Sequence, residues 1–366
     1  MQVLLICFVV ISFINICYYL GFFKFAFQES PNRKNQEPLP VSVIICAKNE
    51  AENLKDFLPK VLSQNYPRFE VVIINDASTD ETLDVIEDFQ SRDPRIKIVN
   101  VQNNEAFWAN KKYALTLGIK KAVNPYLLFT DADCMPTSDL WISEMTTQFS
   151  EGKSIILGYG GYFVKKGSLL NKLIRFETML TAIQYFSYAS WGSPYMGVGR
   201  NLAYTSEEFY KQNGFATHLH LRSGDDDLFV NQAATESNTG LCFSKESITR
   251  SIPKKDLMSW FHQKKRHVSV ANNYKPKHRF LLGLFYLSQI FFWLNLIILL
   301  FTHYWTIALA VLGLRLILQS VVFFRSGEKL EEKDLIWLFP FLEFFLISAQ
   351  FGIFISNIIS KPDHWK

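Results

Sequence analysis

Four long apolar runs restrict this chain more than any other feature. A segment that enters hydrocarbon must satisfy every backbone N–H and C=O within itself, so it must be helical or close into a barrel. Residues 3–23 are interrupted only by Ser12, Asn15 and Gly21, and residues 280–301, 304–324 and 335–359 form a group near the C-terminus. About 20 such residues cross a bilayer core. A cleaved signal peptide is the rival for the first run, but Met1 and Gln2 bring no positive charge and no small-residue cleavage site follows, so it reads as a retained anchor. Lys24, Arg33 and Lys34 follow it, Lys275, Lys277, His278 and Arg279 precede the second run, and Arg325, Lys329 and Lys333 separate the last two. The excess of positive charge expected on the inner side puts residues between the first two spans in the cytoplasm, as a multi-pass protein of the cell (inner) membrane. Arg315, Gln319 and Glu343 fall inside the spans and are expected to snorkel or pair in the bundle, with a substrate path as the alternative. Pro340 is expected to kink the last span.

Charge and cysteine usage narrow the partners. The net charge is +4, and the basic residues crowd beside the apolar runs, which suits anionic lipid headgroups rather than a nucleic acid. Cys7, Cys17, Cys46, Cys134 and Cys242 have no CxxC spacing, which argues against a disulfide framework or a zinc site and fits a reducing compartment.

Between the first two spans the pattern changes. After a polar linker over 28–40, the β-branched run 41–46 reads as a buried strand, followed by a polar loop and a helix over 53–64. The unit repeats with a strand at 69–74, a helix at 81–90 for which Ser78 or Thr79 could supply the cap, a strand at 96–101, a helix at 108–121 and a strand at 126–130. Alternation of this kind predicts an α/β fold, a mostly parallel sheet with helices on both faces. Residues 155–164 read as a strand pair broken by Gly158, Gly160 and Gly161. Residues 169–189 read as a helix with few charges, placed either along the membrane surface or under the sheet.

The strand at 126–130 runs into Asp131-Ala132-Asp133. Ligands of open α/β sheets bind beyond the strand ends, and two carboxylates one residue apart repel unless a cation sits between them. Hard oxygen ligands of this kind suit Mg2+ or Mn2+; an acidic turn closed by Pro136 is the plain alternative. Asp76 ends the second strand, where an acid can bind a base or ribose, and the lack of GxGxxG after the first strand argues against a nicotinamide cofactor. Asp225, Asp226 and Asp227 precede a helical stretch; they either complement its dipole or crowd one another into supplying a general base. Residues 260–267 read as a basic, aromatic interfacial segment in which Gln263 and Arg266 share a helix face and could grip a phosphate or sugar. Phe186, Tyr188, Trp191 and Tyr195 either stack on an acceptor ring or simply pack.

Taken in order, Ser42-Val43-Ile44-Ile45 with Asn49-Glu50, Asp76-Ala77-Ser78, Lys111 within Asn110–Leu115, Asp131-Ala132-Asp133, Gly224–Leu228 and Gln263-x-x-Arg266 resemble the signatures of membrane-bound inverting glycosyltransferases of family 2. The resemblance covers roughly residues 40–267 and implies a GT-A nucleotide-diphosphosugar transferase fold. It further implies that Ala47, Glu50, Asp76, Lys111 and Asp131 hold the donor nucleotide, that Asp131 and Asp133 bind the metal, and that Gln263, Arg266 and His267 meet the acceptor or diphosphate. The family pattern favours Asp225 as the base, with Asp226 second. Two departures stand out: His267 replaces the usual Trp, and Asn110 stands where Gly is common. The expectation is a transmembrane anchor over 1–27, a cytoplasmic transferase domain over 41–267 and a C-terminal membrane region with three spans over 268–366. This metal-dependent hexosyltransferase would move a sugar from a nucleotide donor, with a lean to a UDP-sugar, to a lipid-linked or glycan hydroxyl in cell-envelope glycan synthesis. A processive polysaccharide synthase and a catalytically inactive membrane scaffold are the alternatives.

Overall fold

A computed structural model of the protein describes residues 1–30, 37–102, 111–149, 152–221 and 223–359. The chain divides into two compact units, one comprising Ser30–Lys165 and Gly192–Lys255, the other Met1–Glu29, Lys166–Trp191 and the described residues from Asp256 to Ile359. Of the residues expected as one domain, 41–267, Lys166–Trp191 and those from Asp256 to His267 cluster with the other unit.

The first unit is built on a seven-stranded sheet in the order β3-β2-β1-β4-β8-β6-β9, where β1 is Val41–Ala47, β2 Phe69–Asp76, β3 Ile96–Val101, β4 Tyr126–Asp131, β6 Ile155–Leu157, β8 Leu202–Thr205 and β9 Thr239–Leu241. The first four strands are mutually parallel, and β8 runs antiparallel to β4 and β6. Side chains alternate across a strand, which divides the core. Val41, Val43 and Ile45 join Val71 and Ile73 against Leu54 and Leu58 of α2 (Ala51–Leu62) and Ile86 of α3 (Thr82–Arg92). On the opposite face, Ile44 and Ile74 meet α4 (Lys111–Lys121) at Gly118, where an added Cβ would lie 2.7 Å from Ile74 Cγ1. Trp108, Ala109 and Asn110, expected to open this helix, lie outside the described residues. A second sheet, β5-β10-β7, joins Cys134–Pro136, Thr249–Ser251 and Gly160–Tyr162. The glycine cluster marks the step from β6 to β7. There Gly158 sits so close to Asn201 that a Cβ would come within 2.8 Å of its carbonyl oxygen.

One cap differs from expectation. Asp80 Oδ1 accepts from Thr82 N (3.0 Å) at the start of α3, while Ser78 accepts from Asn49 N (3.0 Å) and Thr79 N donates to Asn49 Oδ1 (2.8 Å). Ser78 and Thr79 thus tie the loops after β1 and β2 together. Both loops turn through left-handed residues, Asn49 (φ 56°) and Ala77 (φ 50°), and the second is costly for a residue with a Cβ.

The second unit is helical: α1 (Gln2–Phe27), α6 (Leu169–Ser190), α9 (Leu257–Val270), α10 (Pro276–Leu300), α11 (Trp305–Lys329) and α12 (Phe339–Ile359). Four segments, Gln2–Phe27, Pro276–Leu300, Trp305–Lys329 and Lys333–Ile359, are long and apolar enough to cross a membrane. The charge-poor helix α6 belongs here, stacking Phe186 on Phe25 (4.9 Å) and setting Phe176 edge-on to Phe323 (5.5 Å). Pro340 occupies the first turn of α12, where the span Lys333–Ile359 passes from a 3-10 stretch over Lys333–Leu338 into α-helix. The polar residues of the spans pair as anticipated. Arg315 donates to Asn15 (2.8 Å), Gln319 (3.1 Å), Gln289 (2.5 Å) and Glu343 (2.9 Å), and Glu343 also accepts from Tyr19 (2.9 Å). Removing one partner of a buried ion pair strands the other. Glu343→Leu should therefore destabilise the helical unit by roughly 3–5 kcal/mol in denaturant titrations of the detergent-solubilised protein. Arg315→Met/Glu343→Leu should recover much of that loss; equal loss in both would refute pairing as the source.

Candidate active site

The C-terminal ends of β2, β1 and β4 lie side by side, with Cys46 opposite Asp131 and Ala47 opposite Asn75. This register brings Asp76, Ala47 and Asp131 to one sheet edge. Lys111, the first residue of α4, reaches over that edge. Its Nζ lies 2.9 Å from Asp131 Oδ1 and 3.0 Å from Asp225 Oδ2, joining a strand end to an acidic cluster 94 residues further along the chain. Burial opposes the lysine's charge, but Asp131 and Asp225 outweigh it and hold the ammonium pKa well above its ordinary value. Lys111, Asp131, Asp225 and Asp226 line a cleft of about 320 Å³ with Ile44, Cys46, Phe129 and Tyr204.

The two acids ahead of α8 (Asp227–Ala233) are held differently. Asp226 accepts from Gly199 N (2.7 Å) through Oδ2 and from Asp227 N (2.8 Å) through Oδ1. Asp225 engages Lys111 through Oδ2, and among the described residues its Oδ1 has no hydrogen-bond donor. Burial, then the neighbouring Asp225 charge, push Asp226 up to about 6, against the pull of Lys111 and the two backbone N–H groups. At the end of β4, one ligand atom from each of Asp131, Asp133 and Cys134 lies within 4.8 Å of the others. Burial raises Asp133, with Asp131 and Glu50 adding to the rise and Arg200 opposing it. Burial also drives the Cys134 thiol well up, so it stays protonated and is a poor partner for a hard cation. Two crowded carboxylates fit Mg2+ or Mn2+; a buried thiol does not. Burial likewise raises Asp76, with Lys48 and Lys111 opposing. Glu50 is fixed by Asn53 (2.5 Å), and its N–H donates to Thr82 Oγ1 (2.9 Å).

Asp76, Lys111, Asp131, Asp133, Asp225 and Asp226 are thus gathered in the sheet unit with Ala47 and Glu50. Gln263, Arg266 and His267 are on α9 in the helical unit, while the cleft itself is lined by sheet-unit residues. Among the aromatics, Phe186 is spent on Phe25, Trp191 Nε1 donates to Gly21 O (2.9 Å) beneath Lys24 (4.3 Å), and Tyr195 is buried. Sequence inspection missed Arg200, which donates to Gly161 O (3.1 Å), lies over Tyr162 (4.3 Å) and offsets the Asp133 charge. It also missed Gly199, whose N–H anchors Asp226 and where a Cβ would meet Asp226 Oδ2 at 3.4 Å. The one local signal is the Gly197-Val198-Gly199-Arg200 string before β8.

A carboxyl whose pKa is raised by folding stabilises the fold fully below its unfolded value and loses that contribution as pH rises through the folded value. For Asp226 the window runs from 3.8 to about 6, corresponding to at most about 3 kcal/mol. Melting curves should therefore show Asp226→Asn gaining on the wild type between pH 4 and pH 7. A constant difference across that range would contradict this electrostatic picture.

Residues 42–210 match the model of glycosyl transferase family 2. The chain is 29% identical over 154 residues to an uncharacterized glycosyltransferase of Haemophilus influenzae, covering 42% of this chain and 44% of that protein. It is 34% identical over 135 residues to the poly-beta-1,6-N-acetyl-D-glucosamine synthase of Staphylococcus epidermidis, covering 35% and 32% respectively. The matched region thus spans less than half the length of either relative. Among solved structures, the mannosyltransferase PcManGT from Pyrobaculum calidifontis, in complex with GDP-Man and Mn2+, superposes with a TM-score of 0.60 at 16% identity, covering 92% of this chain and 96% of that one. At that identity the likeness speaks to fold alone. Residues 42–210, a little under half of the chain, thus carry the match to glycosyl transferase family 2, in a unit with the GT-A fold, and the chain adds apolar helices long enough to cross a membrane.

Proposed function

We propose that this protein is a membrane-anchored inverting hexosyltransferase of cell-envelope glycan synthesis, with its catalytic unit in the cytoplasm. It takes a nucleotide-diphosphate sugar, with a lean to UDP-sugars, and glycosylates a hydroxyl on a lipid-linked or glycan acceptor. The observation that supports the reading is the Lys111 bridge between Asp131 and Asp225, two carboxylates that line one cleft.

Asp76, Ala47 and Glu50 would receive the nucleoside, with Lys111 neutralising the donor side. Asp131 and Asp133 would hold Mg2+ or Mn2+, which when bound offsets charge on the diphosphate. Asp225 is the better base, because among the described residues no group donates to its Oδ1, while both oxygens of Asp226 are committed to backbone N–H groups. Asp225 takes the acceptor proton, the hydroxyl oxygen bonds to the anomeric carbon, and the bond to the diphosphate breaks with inversion. Gln263, Arg266 and His267 are assigned acceptor or diphosphate contacts by the family pattern. The match to the staphylococcal synthase favours a second reading, processive polymerisation; long products made under excess acceptor would identify it.

The test is transfer from a panel of UDP- and GDP-sugars by the purified full-length protein. Asp225→Asn and Asp133→Ala should each lower kcat/KM by about 10²- to 10⁴-fold. Chelation should abolish turnover, and Mn2+ or Mg2+ should restore it. Unchanged turnover in Asp133→Ala would remove the metal assignment, and an active Asp225→Asn the base assignment.

A further inference from the structure

Lys112, the neighbour of the bridging lysine, has no part in the chemistry above, yet it is one of the most deeply buried charged residues of the sheet unit, 1% exposed. Burying an ammonium is costly unless its N–H groups find acceptors. Lys112 Nζ donates to three backbone carbonyls: His218 (2.7 Å), Leu221 (3.0 Å) and Ser223 (2.7 Å). All three belong to the segment immediately before the acidic cluster. Without a cation at their meeting point, three carbonyl dipoles would face one another in a space closed to solvent.

The last of these anchors, Ser223, lies two positions before Asp225. Between Ser223 and Asp225 stands Gly224 with φ 91°, a left-handed turn that a side chain makes expensive. The direction in which Asp225 leaves the backbone is therefore set by a fixed carbonyl at Ser223 and a glycine turn at 224. On the same helical turn, Lys111 receives the carboxylate at 3.0 Å. One lysine holds the acid and the next holds the loop that presents it. Burial lowers the Lys112 pKa to about 8, with Asp225, Asp227 and Asp226 pushing back, so the group is an ammonium at neutral pH.

We infer that Lys112 is a positioning residue that aims Asp225 at the acceptor hydroxyl by clamping the carbonyls of His218, Leu221 and Ser223, and that it takes no part in holding the donor. The inference rests on the reading of this cleft as a sugar-transfer site. It predicts a particular split. Loosening the loop should spoil proton removal from the acceptor, since a displacement on the ångström scale can cost about 10²-fold in rate. The nucleotide, held at the ends of β1, β2 and β4, should bind as before.

The experiment compares wild type, Lys112→Met and Gly224→Ala as full-length proteins in detergent. Transfer kinetics, calorimetric affinity for UDP or GDP with Mn2+, and hydrogen exchange over residues 218–225 are read on each. In Lys112→Met the expected result is a kcat for transfer lowered about 10- to 100-fold, donor KM and nucleotide affinity within two-fold of wild type, and faster exchange in the loop. Gly224→Ala keeps the clamp but strains the turn, so it should reproduce the kinetic split; it carries the test alone if Lys112→Met does not fold. Wild-type kcat in the variants overturns the inference. So does nucleotide affinity falling in step with kcat, which would mark Lys112 as general support. A wild type that turns over no nucleotide sugar refutes the transferase reading instead, and unchanged loop exchange in Lys112→Met would still refute the clamp.

Discussion

The site depends on one ammonium group. Lys111 Nζ stands between a carboxylate that ends β4 and another that precedes α8, and no other described ion pair joins the parallel strands to the acidic cluster. The geometry on either side serves that bridge. Parallel pairing of β1 with β2 and β4 brings the strand ends level, the Gly118 notch lets α4 lie close on Ile44 and Ile74, and the α4 N-terminus then delivers Lys111 to the edge. Asp226, pinned by backbone N–H groups, backs Asp225 with negative charge rather than competing for the lysine.

The protein buries two sets of charge, balanced in opposite ways. In the helical unit, Arg315 spends its guanidinium on Asn15, Gln289, Gln319 and Glu343, a nearly complete set of partners for a cation among apolar helices. In the sheet unit, burial raises the pKa values of Asp76, Asp133 and Asp226, and neighbouring carboxylates add to the rise at Asp133 and Asp226. A closed network of the first kind fixes how helices pack. Unbalanced carboxylates at a strand edge suit a site that gains a divalent cation and handles protons.

How much of this was legible in the sequence follows from the range of each interaction. The strands at 41–47 and 126–131 were readable because buried parallel strands are continuously apolar, and Asp131 and Asp133 because the run stops at them. Asp76 was readable for the same reason. Lys112 and Arg200 gave no such signal: the carbonyls that hold Lys112 lie more than 100 residues away, and Arg200 comes near Asp133 only because β8 pairs with β4. The Ser78 and Thr79 cap failed because Asn49, from a different loop, competes for both residues. Helix α6 was readable as charge-poor, but neither the membrane surface nor the underside of the sheet, the two places expected for it, names the partners it has, Phe25 and Phe323, which periodicity does not reveal.

The most direct measurement of the central claim is a double-mutant cycle on transfer kcat/KM with Lys111→Met and Asp225→Asn. If the ammonium works by holding the Asp225 carboxylate, the two losses overlap, and the double variant should be little worse than Asp225→Asn alone. Losses that multiply independently would mean that the bridge between strand end and acidic cluster is incidental to the chemistry.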